Sequence, residues 1–243
     1  MNIKKGYLLL ATAVLLLQAI GFSQKQEALF SSESPLDIKL SFSIKEVAKS
    51  KKDSMYLPNQ LYFRKASGEF DSLKIALKSR GNFRLQECYF PQLWVKTFTR
   101  GDKNNLFSGN RKLKLVLPCR TGSLYNTLIL REYLCYRMYE HISPYAFKSR
   151  LVNIDFTEVR NRHPKQFDLK GILVEDLDHT AKRFKAKGRE ELKLAPLSLQ
   201  DTGSVRFSLF QYMISNTDLS TAYQHNTKLM QLKNGSFISV PYD

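Results

Sequence analysis

The chain has 243 residues, and 38 Lys and Arg against 22 Asp and Glu leave a net charge of +16. Hydrophobic residues make up 43% and aromatic residues 12%, enough to bury a core in one large domain or two lobes. The charge favours anionic partners such as nucleotide or anionic lipid. Nucleic acid is set aside, because the densest run, Lys182-Arg183-Phe184-Lys185-Ala186-Lys187-Gly188-Arg189, carries no recognition signature beyond charge. The chain has no C-x-x-C pair, no Gly-x-Ser-x-Gly elbow and no His-Glu-x-x-His, which removes the usual redox, zinc and hydrolase motifs.

In chain order, Lys4 and Lys5 precede an apolar run over 7–20, and Gly21-Phe22-Ser23 follows as a small-x-small cleavage site. This reads as a signal peptide over 1–23, since the run is shorter than the ~20 residues of a membrane span and is broken by Gln18. Its removal leaves +14, no transmembrane segment, and an exported protein, periplasmic or extracellular. Residues 24–35 are polar and read as a flexible arm.

Apolar and polar residues alternate over 36–44, a half-buried strand. A charged loop follows over 49–53. Strands are expected over 61–64 and 73–78, divided by Ser67-Gly68, then over 93–98 and 112–117, with a turn-rich loop at 101–110. A long helix is expected over 124–142, capped by Ser123. Its Leu130, Leu134, Met138 and Ile142 form an i, i+4 stripe, widened by Leu128, Cys135 and Tyr139, so most of its surface is expected to be covered. Strands at 151–156 and 169–174 precede a second helix over 204–215, with Val205, Leu209, Tyr212 and Met213 on one face. A hairpin over 228–240 turns on Asn234-Gly235. The fold class is therefore α+β. An antiparallel-sheet lobe with the long helix spans 36–175, and a mixed, partly helical lobe spans 176–243.

Of the three cysteines, Cys135 lies in the apolar helix and reads as a buried thiol. Cys88 and Cys119 each follow a strand and are the expected disulfide, although spacing alone leaves the pairing open. The tail carries the strongest chemical signal. Asp218, Asn226 and Asp243 follow a helix and bracket a hairpin. Carboxylate and amide oxygens are the donors that Mg²⁺ takes, and phosphoryl transfer rests largely on such positioning and charge neutralisation. The bland alternative is that Asn216 and Asp218 only end a helix and start a turn.

Several segments together resemble a family. They are Ser79-Arg80-Gly81-Asn82, Lys112-Leu113-Lys114-Leu115, Gly171-Ile172-Leu173-Val174-Glu175-Asp176, Asn216-Thr217-Asp218, His225-Asn226 and Pro241-Tyr242-Asp243. They look like signposts of spore-coat CotH-type atypical kinases. A group of exported bacterial proteins is closer still, sharing Arg80-Gly81-Asn82-Phe83-Arg84, Cys88-Tyr89-Phe90-Pro91 and Glu132-Tyr133-Leu134. The resemblance implies an incomplete kinase-like fold that takes Mg²⁺ and ATP and transfers phosphate to a protein or envelope component. In those proteins the chain continues beyond Pro-Tyr-Asp with Phe-Asp and further helices. The alternative implied is a non-catalytic envelope binding or structural module.

On that resemblance Lys114, or Lys112 two residues away on the same face, reaches the phosphates, and Glu132 orients the lysine. Arg80, Gly81 and Asn82 turn over the phosphates, and Glu175 lies at a hinge. Asp218 accepts the proton of the attacking hydroxyl, and Asn226 and Asp243 hold the metal.

Overall fold

Alternation along the first half of the chain builds strands, and the strands close on themselves. In a computed structural model the described residues are 28–242, without 53, 82, 100, 101, 103 and 191–193 and without the side chain of residue 196. The segment read as a signal peptide, the start of the arm, Asn82 and Asp243 lie outside them.

Strands β1 (Leu36–Phe42), β2 (Leu57–Arg64), β3 (Phe70–Arg80), β4 (Gln92–Thr97), β5 (Lys112–Val116), β6 (Ser149–Glu158) and β7 (Lys165–Glu175) form a closed barrel in the order β1-β2-β3-β4-β5-β7-β6. Neighbours are antiparallel except at the closure, where β1 runs parallel to β6 from Leu36 opposite Val152 to Phe42 opposite Glu158. Alternate residues point inward, as the pleat requires. Ile38, Leu61, Ile75, Leu93, Leu113 and Val152 fill the interior, each at most 2% exposed. Gly171 permits the close approach of β7, since a Cβ there would lie 2.7 Å from Ile154 Cδ1 and 2.9 Å from the Val116 carbonyl oxygen.

The expected two-lobed, kinase-like arrangement is therefore corrected. Strands β6 and β7 were read as following the first sheet. They pair with β1 and β5, and closure removes the open sheet that would border a cleft between lobes. The fold is α+β with a barrel at its centre. Around the barrel, the described residues form helices α1 (Ile44–Lys49), α2 (Phe83–Glu87), α3 (Ser123–Ile142), α4 (Leu177–Arg183) and α5 (Asp201–Met213). A small antiparallel sheet of β8 (Lys187–Arg189), β9 (Thr227–Gln231) and β10 (Phe237–Pro241) completes the flank.

Local signals explain most boundaries. Ser43 caps α1 by accepting from the Glu46 N–H. Ser123 is the first residue of α3 rather than its cap; that position falls to Gly122, at φ 114. Helix α5 starts earlier than its apolar spacing suggests because the Gln200 side chain accepts from the Gly203 N–H. The arm is partly core: Leu29 and Phe30 are buried, and Arg150 donates to the Leu29 carbonyl at 2.9 Å. Cys88 and Cys119 are disulfide-bonded, tying the end of α2 to the segment after β5.

A second core lies outside the barrel. Val116, Ile172 and Val174, on the outer face of β5 and β7, are covered by Ile129, Tyr136 and Tyr139 of α3, Phe210 of α5, and Met230, Ile238 and Val240 of the small sheet. The apolar stripes read from sequence are only partly covered: on α3, Cys135, Met138 and Tyr139 pack on this core, and the rest point the other way. Leu130, Leu134 and Ile142 are 40%, 56% and 44% exposed, and Val205, Leu209, Tyr212 and Met213 are also exposed. Both helices are apolar around most of their girth. On each helix the covered face carries the aromatic bulk, Tyr136 and Tyr139 on α3 against the barrel wall and Phe207 and Phe210 on α5, which packs on β10. Among the described residues no helix is long and apolar enough to cross a membrane.

Candidate basic and aromatic site

The residues of β3, β4 and β5 that do not fill the barrel form its outer wall. Lys78 and Arg80 lie on β3, Trp94 and Lys96 on β4, and Lys112 and Lys114 on β5. Register sets Lys78 opposite Trp94, Trp94 opposite Lys114, and Lys96 opposite Lys112. The Lys112 ammonium stands 4.1 Å above the Trp94 ring centre, and the Arg80 guanidinium carbon 4.9 Å from it. Lys78 and Lys96 each lie 5.8 Å from the Tyr56 ring. Such cation–aromatic spacing favours ordered cations on a wet surface. Asp176, the cap of α4, sets its Oδ1 3.0 Å from Lys112 Nζ.

Lys114 marks where this wall passes beneath α3 and the small sheet. It is fully buried, with Nζ 3.4 Å from the Tyr136 hydroxyl and 4.3 Å from the Tyr242 ring centre. Burial holds its ammonium well below the ordinary lysine value of 10.5; the Arg80 charge adds to that shift, and Glu132 opposes it. Burial likewise raises the phenols of Tyr136 and Tyr242. Arg80 joins the open wall to the buried centre, since its guanidinium carbon is also 5.0 Å from the Tyr242 ring. Lys228 approaches the same ring at 5.3 Å.

The structure brings Lys112, Lys114, Arg80 and Glu132 into one neighbourhood. Glu132 forms its ion pair with Arg84, at 3.8 Å, and Arg84 also donates to the Leu117 carbonyl. The other Glu132 oxygen has no hydrogen bond among the described residues. Beside it, Tyr136, Phe210, Gln211, Asn216 and Tyr242 line a cavity of about 40 Å³. That volume suits a water and not a nucleotide, whose sites run to hundreds of Å³. Gly81, at φ 80, follows β3, and its carbonyl accepts from Lys51 at 2.6 Å.

Glu175 is buried and occupied by the protein itself. Its carboxylate accepts from the Lys148 N–H at 2.6 Å and pairs with Arg183 at 2.8 Å. Asp218 and Asn226 lie on an exposed turn. The Asn226 amide donates to the Asp218 carbonyl at 2.6 Å, and His225 Nδ1 sits 3.2 Å from Asp218 Oδ1. A path of contacts leads back to the buried lysine, because the Tyr242 N–H donates to the Asn226 carbonyl at 3.1 Å. As a Mg²⁺ site the described pair does not fit. Asn226 turns its donor nitrogen toward Asp218, and no group of three His, Cys, Asp or Glu side chains among the described residues could hold a metal.

Sequence reasoning gave no role to Trp94, Lys78, Lys96, Tyr136 or Tyr242. A signal for the first three was present: three consecutive strands each place two cationic or aromatic residues two positions apart, on the face opposite their leucines. Comparison with known protein families, with curated proteins and with solved structures finds no match.

Proposed function

We propose that the chain is an exported binding protein for a phosphate-bearing ligand, taken on the outer wall of β3, β4 and β5. The observation that carries this reading is the single tryptophan of the chain, Trp94, beside Arg80 and Lys112, with Lys78 and Lys96 on the same wall. Guanidinium and ammonium groups bind phosphate oxygens, and the uncovered part of the half-buried Trp94 ring accepts a base or sugar. Lys114 does not reach the ligand in this reading. It anchors Tyr242, which in turn backs Arg80.

Because Trp94 is unique, its fluorescence reports this wall directly. Titration with ATP should give a saturable change, weakened by salt and lost in the double variant Arg80→Gln, Lys112→Gln. A flat titration with ATP and inorganic phosphate, or one that the double variant leaves intact, overturns the reading.

A second reading, transfer of phosphate from Mg-ATP to a protein or envelope component, has one supporting observation. This is the contact path from Lys114 through Tyr242 and Asn226 to Asp218. It predicts ATP turnover that Asp218→Asn abolishes while the fluorescence titration survives. Binding without turnover leaves the binding module standing alone.

A further inference from the structure

We propose that the outward faces of α3 and α5 form a second functional surface, which docks on an anionic lipid bilayer. The sequence singles out two apolar stripes at helical spacing; the fold covers Cys135, Met138 and Tyr139 of the first and leaves the remainder of both exposed. On α3, Leu124, Leu128, Leu130, Leu134 and Ile142 are between 40% and 65% exposed. On α5, Val205, Leu209, Tyr212 and Met213 are between 55% and 86% exposed. The helices touch where the Tyr139 and Phe210 rings stand 4.9 Å apart. Nine large apolar side chains on two contacting helices exceed the scattered singles that an ordinary surface shows.

The choice of occupant follows from the charge around these side chains. No exposed carboxylate lies on α3, whose Glu132 and Glu140 are turned into ion pairs with Arg84, Arg137 and Lys148. Arg131 is exposed among the α3 leucines and Arg206 among the α5 residues; the single exposed acid on α5 is Asp201, at its start. Apolar side chains with interspersed arginines and a tyrosine match the headgroup boundary of a bilayer. A net charge of +14 without residues 1–23 draws the protein to anionic lipid and opposes pairing with a second copy of itself.

The experiment is co-sedimentation with phosphatidylcholine vesicles, with and without phosphatidylglycerol, alongside light scattering of the protein alone. The wild type should pellet with the anionic vesicles and remain monomeric without them. Leu130→Glu with Leu134→Glu, and separately Leu209→Glu, should each lower partitioning by roughly tenfold or more. These positions are exposed, so the variants should fold, which circular dichroism checks. Arg131→Ser with Arg206→Ser should weaken binding to anionic vesicles, and Lys78→Ser with Lys96→Ser should spare most of it. Three results overturn the proposal: no partitioning by the wild type, partitioning that the leucine variants leave unchanged, or a wild-type dimer that those variants dissociate.

Discussion

The interior of the barrel and the layer outside it are built from the same residue types yet specified to different degrees. Inside, every strand contributes by parity: alternate residues of β1 to β7 point to one shared axis, so Leu113 and Leu115 are buried while Lys112 on the same strand is not. Outside, α3 and α5 are apolar around much of their circumference, and parity says nothing about which side meets the wall. The comparison teaches that closure of a sheet leaves an inward residue no alternative, whereas a helix laid on a barrel chooses among faces by shape.

The sharpest way to break this comparison is to empty one position in each layer. Leu113→Ala, at a fully buried barrel site, should cost about 3 kcal/mol of unfolding free energy in urea titration, the range for core leucines. A loss under about 1 kcal/mol would mean that the interior collapses to fill the gap, and that its specification is looser than parity implies.

The disulfide comes next. Cys88 and Cys119 are 31 residues apart, and removing the link as a Cys88→Ser, Cys119→Ser pair should destabilise by about 3 to 4 kcal/mol in the chain-entropy account. The Tyr89 and Phe90 N–H groups still donate to the Cys119 carbonyl, so the native loop should persist and the loss should appear in urea titration as a lower midpoint.

Lys114 tests the seam between the two layers through pH. Its folded value lies below 10.5, so across the interval between that lowered value and 10.5 the unfolded chain binds a proton that the folded chain lacks. Unfolding free energy therefore rises with pH there and falls as pH drops through the folded value. Tyr136 and Tyr242 are shifted upward from 10.0; their contribution is complete below that value and fades above it, so the measurement stays between neutral pH and about 9.5. Lys114→Met should lack the rise seen in the wild type. Parallel pH curves for the two proteins would show that Lys114 titrates normally and that the seam is wet.

Much of the barrel was legible in the sequence because alternation is a local signal. Strands were expected within a few residues of β1, β3, β4 and β5, and the Asn234-Gly235 turn lies between β9 and β10. Closure was not legible. It depends on Leu36 meeting Val152 across more than a hundred intervening residues, a pairing that no local pattern carries. At the candidate site, Arg80, Lys112, Lys114 and Glu132 were named from sequence by resemblance and do share a neighbourhood. The depth of Lys114 was hidden, because its cover comes from Tyr136 and Tyr242 on later elements. Glu175 was placed at a hinge by resemblance, and its burial was hidden because the partners that occupy it, Lys148 and Arg183, approach from two other segments.

The smallest expected effect is the one that sharpens the comparison most. Leu130→Ala and Leu134→Ala, on the outward stripe of α3, should each change unfolding free energy by no more than about 0.5 kcal/mol, since a half-exposed leucine gives up little burial and alanine is the better helix former. The same substitutions on a covered face would cost several times that. A near-zero result together with weaker vesicle binding would separate the roles of the two helix faces, one holding the fold and the other meeting a surface. A large loss at either position that vanishes on dilution would instead show that a second copy already covers the stripe, making the exposed leucines part of an assembled core.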